Sequence, residues 1–432
     1  MREGLKMLLE VKIENFYSIK EQVVFSMLAG PDTTMNYNLY SPENYKSTRI
    51  LKSAVFYGAN AAGKTNVLRG LKFIERIILE NNTRQDGDEI NVIPFRMDEK
   101  YKDMPSKFDI IFIHQGIKYA YGFTIDRKKV HSEYLYNYPK GRQATLFERT
   151  DTNRFKFTKD KEEQEALSRR TLSNRLYLAS ATEWNYKPIA KAFEWFKRNL
   201  KINIFGSLRN WVNYTASVIH QNSDMKEAVR CLLAEADISI QDYLTEERDI
   251  RETDMYKVLP STLQKTISSD LSDKKVISVR TSHRTQNENG QFHDEIFDLD
   301  DESAGTIKIF ELAAPLLEVL ENGHVLVIDE LDIQLHPLLV ENIVKKFHDP
   351  NQNTGNAQLI FTTHNTNLLT QTIFRRDQIW FVEKNQASGA TDIYSLLDLK
   401  VRKDENIEKG YLAGRYGAVP FIGEEQICKW PK

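Results

Sequence analysis

Apolar runs and one helical period organise the N-terminal part of the chain. Residues 8–13 and 22–28 are rich in apolar and β-branched side chains and predict two strands with a turn between them. The short apolar run 53–57 predicts a third strand, which stops at Gly58. Apolar side chains then recur every three or four positions over 67–78, the spacing of an amphipathic helix. The pattern therefore predicts a strand, a glycine-containing turn and a helix in direct succession.

The spacing of apolar residues changes twice in the middle of the chain. Residues 107–136 have a strand-like pattern, whereas 151–166 is charged enough to predict a solvated loop or a helix end. Between about 186 and 260 the period is helical, with an aromatic stripe that core packing explains. We therefore expect a β-rich subdomain followed by a helical insertion.

Helix and strand alternate from residue 305 to residue 383. The predicted elements are a helix to about residue 321, a strand at 325–328, a helix at 337–347, and strands at 358–362 and 378–382. Such alternation is typical of a parallel sheet whose strands are joined by crossover helices.

Together these patterns predict an α/β protein whose parallel-sheet core is built from both ends of the chain. The β-rich and helical segments are inserted between the two halves of that core. The predicted segments are the N-terminal part of the core at 1–90, the β-rich subdomain at 91–185, the helical insertion at 186–274, the C-terminal part of the core at 275–400 and a tail at 401–432.

Composition excludes several classes of protein. Lys plus Arg is 59 and Asp plus Glu is 61, so a net charge of -2 excludes a chain that is basic throughout, although a local nucleic-acid patch stays open. The two cysteines, Cys231 and Cys428, are too few for a disulfide framework and too far apart for a metal knuckle. Residues 1–10 lack the apolar segment of a signal peptide, and no apolar run reaches the roughly 18 residues that span a bilayer. We expect a cytoplasmic protein without membrane contact.

The strongest chemical signal lies between the third predicted strand and the helix after it, where the sequence fits the phosphate-loop pattern G-x-x-x-x-G-K-[S/T]. Glycines let the backbone curl so that its N–H groups point at phosphates, and the following helix adds the positive end of its dipole. Lys64 would reach the β- and γ-phosphates of ATP, and the Thr65 hydroxyl would ligate Mg2+. The predicted ATP-binding residues are Gly58, Ala59, Asn60, Ala61, Ala62, Gly63, Lys64, Thr65 and Asn66.

Two carboxylates, Asp329 and Glu330, directly follow the purely apolar strand 325–328. Ligands of parallel sheets bind at the C-terminal ends of the strands. We predict that Asp329 belongs to the metal site, where it holds the hydration shell of Mg2+. Glu330 would orient or deprotonate the attacking water. A terminal acid alone is a common turn cap, but together with the phosphate loop it indicates hydrolysis of ATP.

A histidine follows the apolar strand 358–362 after one intervening threonine. A lone histidine at a strand end is more often structural than catalytic. His364 would, however, lie at the same sheet edge as the phosphate loop, where it could contact the γ-phosphate. We therefore predict a catalytic role for it beside Glu330.

The stretch Glu302–Thr306 opens the helix that leads into the carboxylate-bearing strand. Read alone it is a helix cap, because a serine accepts backbone N–H groups at a helix start. Such a start can also bind an anion. It would lie away from the phosphate loop of its own chain, so we expect Ser303, Ala304 and Gly305 to bind ATP in trans, from a second subunit.

These four elements, in their order along the chain, resemble those of the ABC-type or SMC-like ATPase superfamily. Glu302–Thr306 looks like its signature motif, Asp329–Glu330 like its Walker B motif and His364 like its switch histidine. The closer resemblance is to bacterial abortive-infection ATPases of the AbiLi/RloA type, which are related to the ATPase half of OLD-family proteins. The stretches that carry it are 14–18, 58–65, 302–306, 329–337, 361–365 and 411–421.

The resemblance implies an ATPase of the P-loop ABC type with ATP and Mg2+ as cofactors, working as a homodimer or a higher oligomer. The signature lacks the Gly-Gly-Gln ending of transporters, and no coiled-coil arm separates the motifs. OLD proteins continue into a Toprim nuclease, which the short stretch after His364 would not accommodate. The acidic cluster Asp298, Asp300 and Asp301 has no apolar strand before it, so a metal nuclease within this chain is disfavoured.

The sequence is compatible with three functions. The first is an ATP-driven sensor or motor in antiphage defence, with a separate effector such as a Toprim-type nuclease. The second is a RecF-like DNA-repair ATPase that binds DNA in an ATP-gated dimer. The third is a self-contained nuclease. The stretch 411–421, which carries part of the resemblance, and the missing nuclease site favour the first.

Overall fold

The computed structural model describes residues 5–42, 45, 47–204, 208–236, 240–249, 251, 275–402 and 405–420, without the side chains of 208–210. The chain divides into two compact units. Unit 1 contains Met1–Ile204, Leu320–Asp332 and Glu341–Lys432, and unit 2 contains Phe205–Val319 and Ile333–Val340. The predicted segments 186–274 and 275–400 each contribute to both units. Within the described residues, no helix combines the length and apolar character that a membrane crossing needs.

Strands and helices are numbered separately in chain order. The strands are β1 Lys6–Glu14, β2 Val23–Ser26, β3 Leu39–Tyr40, β4 Ile50–Leu51, β5 Ser53–Tyr57, β6 Ser106–His114, β7 Ile117–Ile125, β8 Val130–Tyr138, β9 Ala144–Thr150, β10 Arg154–Phe157, β11 Leu200–Asn203, β12 Ile240–Asp249, β13 Lys275–Gln286, β14 Phe292–Asp298, β15 Val325–Ile328, β16 Gln358–Thr362, β17 Ile379–Lys384 and β18 Thr391–Ser395. The α-helices are α1 Lys64–Leu79, α2 Glu99–Lys102, α3 Lys161–Arg170, α4 Tyr177–Glu183, α5 Lys187–Asn199, α6 Leu208–Gln221, α7 Ser223–Glu235, α8 Ala304–Asn322, α9 Pro337–His348 and α10 Ile407–Leu412.

A six-stranded sheet in unit 1 holds the strand that precedes the phosphate loop. Its order is β11-β15-β16-β5-β17-β18. The first five strands pair in parallel, and β18 runs antiparallel to β17. Every residue of β15, β16 and β5 is buried, as expected for central strands covered on both faces. The α/β core with a parallel sheet and crossover helices, predicted from the alternation of elements, is confirmed.

A second sheet in unit 1 is antiparallel, with the order β10-β9-β8-β7-β6-β1-β2. It corresponds to the predicted β-rich subdomain, although its strands β1 and β2 come from the N-terminal part of the chain. One hydrophobic core joins residues of this sheet, of α1 and α5, and of the parallel sheet. The approach is close at Gly70 of α1, where a Cβ atom would lie 2.2 Å from Cδ1 of Ile13. The helix that follows the phosphate loop is thus held by tertiary packing.

Unit 2 contains α6, α7, the N-terminal part of α8 and a three-stranded antiparallel sheet. The order of this sheet is β12-β13-β14. Tyr243 of β12 packs against Phe310 of α8, with ring centroids 5.2 Å apart. The residue range 252–274, part of the predicted helical insertion, lies outside the described residues.

Two stretches differ from the predicted pattern. The charged segment 151–166, expected to be a solvated loop or a helix end, contains β10 and the start of α3. The segment 186–260, expected to be helical, contains the strands β11 and β12. Leu200 continues the helical stripe of α5 but begins β11, because pairing with β15 in the parallel sheet outweighs the local period.

A buried histidine lies at the edge of the parallel sheet opposite the phosphate loop. Nε2 of His348 is 2.7 Å from Oγ of Ser53 and 3.4 Å from Nε2 of Gln378, so it accepts hydrogen bonds in its neutral form. Burial, and after it the nearby Lys52, lowers the pKa of His348 to about 3. The imidazole is therefore neutral in the folded chain at pH values where the unfolded chain protonates it.

We expect the free energy of unfolding to decrease with falling pH because of this histidine. Between its unfolded pKa of 6.5 and its folded pKa of about 3, the unfolded state binds the extra proton. The loss approaches about 1.4 kcal/mol per pH unit within that window. Urea unfolding of the wild type and of His348→Gln at pH 7.5 and 5.0 measures it. An equal drop in both proteins would contradict the assignment.

Candidate functional site

The phosphate loop connects β5 to α1 and needs glycine at both ends. Gly58 approaches β17 so closely that a Cβ atom there would lie 2.4 Å from the carbonyl oxygen of Val382. Gly63, directly before the helix, has a φ of +112°, which side-chain-bearing residues rarely adopt. Between them Asn60 and Ala61 are exposed to solvent. The predicted pattern thus folds as a tight turn with an accessible rim.

A chain of side-chain hydrogen bonds connects the phosphate loop to Ser18 and Thr391. Nδ2 of Asn66 donates to Oγ of Ser18 over 2.7 Å, and the hydroxyls of Ser18 and Thr391 are 2.7 Å apart. Oγ1 of Thr391 also donates to the carbonyl oxygen of Ala62 over 2.7 Å. The Asn66 side chain is therefore part of the network that holds the loop in this structure, and its contact with ATP stays a prediction.

Lys64 is folded back into the loop. Its Nζ donates to the carbonyl oxygens of Gly58 over 2.8 Å and Ala59 over 3.2 Å. Burial lowers the pKa of Lys64, whereas the nearby carboxylates of Glu330, Asp329 and Asp332 act in the opposite direction. The ammonium group thus lies in the hollow where phosphates would bind, with carboxylates around it.

Asp329 is held by a residue of the neighbouring strand. Its Oδ1 accepts a hydrogen bond from Oγ1 of Thr362 over 2.6 Å. Its Oδ2 is buried and has no hydrogen-bond partner among the described atoms. A buried carboxylate oxygen without a partner is costly unless a cation or a water completes it.

The donor set at this place fits magnesium. Mg2+ prefers oxygen ligands and retains several waters, which carboxylate and hydroxyl groups can bind. The free Oδ2 of Asp329 and the hydroxyl of Thr65, the second residue of α1, supply such groups. When bound, Mg2+ would neutralise charge on the phosphates.

Glu330 has an unusual backbone. Its φ is +52°, a left-handed conformation that costs a non-glycine residue about 1–3 kcal/mol. Its N–H donates to Oγ1 of Thr362 over 2.7 Å, so the same hydroxyl contacts both carboxylate residues. The side chain of Glu330 is half-buried, and its Oε1 is 3.9 Å from Nε2 of His364. The two predicted catalytic residues are thus neighbours.

The backbone of His364 is hydrogen-bonded to the loop that follows Asp329 and Glu330. Its backbone N–H donates to Oδ2 of Asp332 over 3.2 Å. Burial and then the charge of Lys64 lower the pKa of His364, whereas Asp332, Glu330 and Asp329 raise it. The net direction is downward, so the imidazole is neutral at neutral pH and can share a proton with a water or a phosphate oxygen.

The signature residues lie in unit 2 at the start of α8. Oγ of Ser303 accepts the N–H of Thr306 over 3.1 Å, which makes Ser303 the predicted helix cap. Ser303 and Ala304 are exposed, and Gly305 is half-buried, with its Cβ position 3.0 Å from the carbonyl oxygen of Gln334. The surface is accessible to another molecule, and its contact with ATP in trans stays a prediction.

The acidic cluster near the signature is placed differently from the expectation. A strand, β14, does lead into Asp298, Asp300 and Asp301, but all seven of its residues are exposed rather than buried. Among the described residues no group of three or more His, Cys, Asp or Glu side chains is arranged to hold a metal ion.

Sequence reasoning missed the threonine and serine residues that support the site. Thr362 ends a buried strand beside β15, and a polar residue at that place could have been the signal. Ser18 lies in the stretch 14–18 that carried the resemblance, but no chemistry was assigned to it. No local signal points to Thr391, because it reaches the loop only through the folding of the sheet.

Solved structures of low identity cover most of the chain. An SMC head bound to the C-winged helix domain of ScpA is 12% identical at a TM-score of 0.43, over 91% of this chain and 99% of that one. The SMC head domain from Thermotoga maritima is 13% identical at a TM-score of 0.37, over 90% and 98%. At TM-scores below 0.5, neither likeness carries a conclusion about this chain. Curated proteins give no significant match.

One protein family matches a long part of the sequence. Its description is "AAA domain, putative AbiEii toxin, Type IV TA system", and the match covers residues 53–370. That range begins with β5, includes the phosphate loop and the carboxylates of β15, and ends just after His364. It is well over half of the 432 residues. The chain therefore belongs to this family of AAA-domain proteins.

Proposed function

We propose that the chain binds ATP with Mg2+ and hydrolyses it. One observation carries the proposal: the phosphate loop, both carboxylates and the histidine meet at the C-terminal edge of one parallel sheet. The carboxylates of Glu330, Asp329 and Asp332 are near enough to Lys64 to act on its pKa in the upward direction. Oε1 of Glu330 is 3.9 Å from Nε2 of His364. A nucleotide whose phosphates replace the loop carbonyls around Lys64 would reach all of these groups.

In this proposal each residue has one task. Lys64 and the backbone of the phosphate loop bind the β- and γ-phosphates. Glu330 orients the attacking water and accepts its proton. His364 contacts the γ-phosphate from the neighbouring strand.

The proposal includes a homodimer with shared sites. The signature residues Ser303, Ala304 and Gly305 present a helix N-terminus that is accessible on the surface. In a two-fold dimer each chain would complete the site of the other, because the same surface patch serves both subunits. ATP would then hold the two chains together, and its hydrolysis would loosen them.

We further propose that this cycle serves antiphage defence of the abortive-infection type. The family description names a putative toxin and a toxin–antitoxin system. The resemblance to abortive-infection ATPases of the AbiLi/RloA type also favours a role in defence. A separately encoded effector, such as a Toprim-type nuclease, would act when the ATPase changes state.

The first test is the variant Lys64→Ala. It removes a charge-assisted contact to the phosphates, which is stronger than a neutral hydrogen bond, so we expect Mg·ATP binding to be lost in calorimetry. Lys72→Ala is the matched control, because Lys72 lies on the same helix but pairs with Glu75. Equal ATP binding by Lys64→Ala and the wild type would disprove the assignment. The defence role requires that Lys64→Ala also removes phage protection from cells that express the chain with its neighbouring genes.

A further inference from the structure

We propose that Thr362 is a positioning residue for ATP hydrolysis. Its single buried hydroxyl sets the direction of the Asp329 carboxylate and the backbone of Glu330 together. The inference rests on the proposed ATPase function and adds to it a residue that is neither a ligand of the nucleotide nor a proton acceptor.

The hydrogen-bond directions around this hydroxyl are fixed. A backbone N–H can only donate, so Oγ1 of Thr362 accepts from the N–H of Glu330 over 2.7 Å. An ionised carboxylate can only accept, so the hydroxyl proton of Thr362 goes to Oδ1 of Asp329 over 2.6 Å. The side chain of Thr362 is fully buried, which leaves no water to replace either bond.

The bond to Asp329 leaves one carboxylate oxygen for the metal. With Oδ1 anchored, the carboxylate cannot rotate freely, and Oδ2 remains buried without a hydrogen-bond partner. Mutation of a group that holds a metal ligand in this way typically costs about 10- to 100-fold in metal affinity or activity. Loss of the hydroxyl should therefore weaken the response to Mg2+.

The bond to Glu330 stabilises a strained backbone. Glu330 has a φ of +52° directly after β15, where the chain leaves the sheet. The carbonyl oxygen of Thr362 accepts the N–H of the next residue, Leu331, over 3.1 Å. Both polar atoms of Thr362 thus clamp the turn that carries Glu330, and this clamp sets where its carboxylate lies relative to His364.

The parallel register brings the threonine to this place. Ile328 of β15 pairs with Phe361 of β16, so the residues that follow each of them, Asp329 and Thr362, are neighbours at the sheet edge. The adjacent Thr363 is also buried, but its Oγ1 accepts the N–H of Asn365 instead. The two threonines therefore have separate tasks, and only Thr362 contacts the carboxylate residues.

Three variants test the inference. Thr362→Val keeps the shape and removes both hydrogen bonds, whereas Thr362→Ser keeps the hydroxyl. Thr215→Val is the matched control, because Thr215 is a buried threonine of unit 2 whose hydroxyl donates to the carbonyl oxygen of Glu311. A fluorescent ATP analogue measures binding in EDTA and during a Mg2+ titration, and steady-state assays give kcat and KM.

We expect Thr362→Val to bind the analogue in EDTA as the wild type does. The Mg2+ concentration for half-maximal tightening should rise about tenfold, and kcat should fall by about 10- to 100-fold. Thr362→Ser should stay near the wild type in both measurements, and Thr215→Val should change neither. If Thr362→Val does not fold, Thr362→Cys, with similar volume and a weaker donor, should show the same changes to a smaller degree.

Two results would overturn the inference: a folded valine or cysteine variant with the Mg2+ requirement and kcat of the wild type, or a serine variant as defective as the valine variant. Either result is distinguishable from failure of the proposed function. If the proposed function failed, the wild type itself would neither bind nor hydrolyse ATP, whereas in both of these results the wild type hydrolyses ATP.

Discussion

Glu330→Gln should retain Mg·ATP binding and lose about a hundredfold or more of its turnover, as expected for removal of a general base. The amide cannot accept the proton of the attacking water, but it keeps the size of the side chain. Since Glu330 bonds to the Thr362 hydroxyl through its backbone N–H and not through its side chain, the substitution should leave the turn intact. Calorimetry gives the binding constant, and phosphate release gives the rate.

An exposed glutamate provides the control for this variant. Glu99 lies on α2, pairs with Lys102 at the surface and is outside the site, so Glu99→Gln should hydrolyse ATP at the wild-type rate. Unchanged steady-state turnover in Glu330→Gln would show that another carboxylate, such as Asp332, activates the water.

A mixture of Lys64→Ala and Gly305→Glu chains should regain ATPase activity although each chain is inactive alone. Gly305→Glu places a carboxylate where the signature would meet the phosphates of the other subunit. In a mixed dimer one site carries both defects and the other carries none. Random pairing in equal amounts leaves about a quarter of all sites intact. The measurement is the ATPase rate of the mixture, with mixed dimers verified by two different affinity tags.

A second mixture serves as the control for the shared site. Lys64→Ala and Glu330→Gln affect groups that a nucleotide would meet on the same chain, so each site of their mixed dimer would carry one defect. This mixture should stay inactive. If the Lys64→Ala and Gly305→Glu mixture also stays inactive although mixed dimers form, the shared-site proposal is wrong.

The phosphate loop could be predicted because its chemistry is local. Glycine is needed at Gly63 by its positive φ, which follows from a strand, a tight turn and a helix in succession, whereas the approach of Val382 to Gly58 appears only in the folded sheet. The prediction for Asp329 and Glu330 also rests on a local feature, their place directly after an apolar strand. A short motif contains its own structural requirements, and this is why these residues were visible in the sequence.

The supporting residues could not be predicted, because their roles depend on strand register. Thr362 is an ordinary strand former until β15 and β16 pair and bring it beside Asp329. Leu200 fits the helical stripe of α5 equally well, and only the pairing of β11 with β15 decides that it begins a strand. Neither the partner strand nor its register can be read from a local period.

The order of the parallel sheet has a consequence for synthesis of the protein. β5, which ends at the phosphate loop, has β16 and β17 as its two neighbours, and both are encoded about 300 residues later. At about 5–20 residues per second, a ribosome needs about 15–60 s to supply them. During this interval the strand has neither partner, so a nascent chain cannot form the nucleotide site. We therefore expect the unpaired β5 and phosphate loop to depend on chaperones, and ATP binding to begin only after β17 has been synthesised.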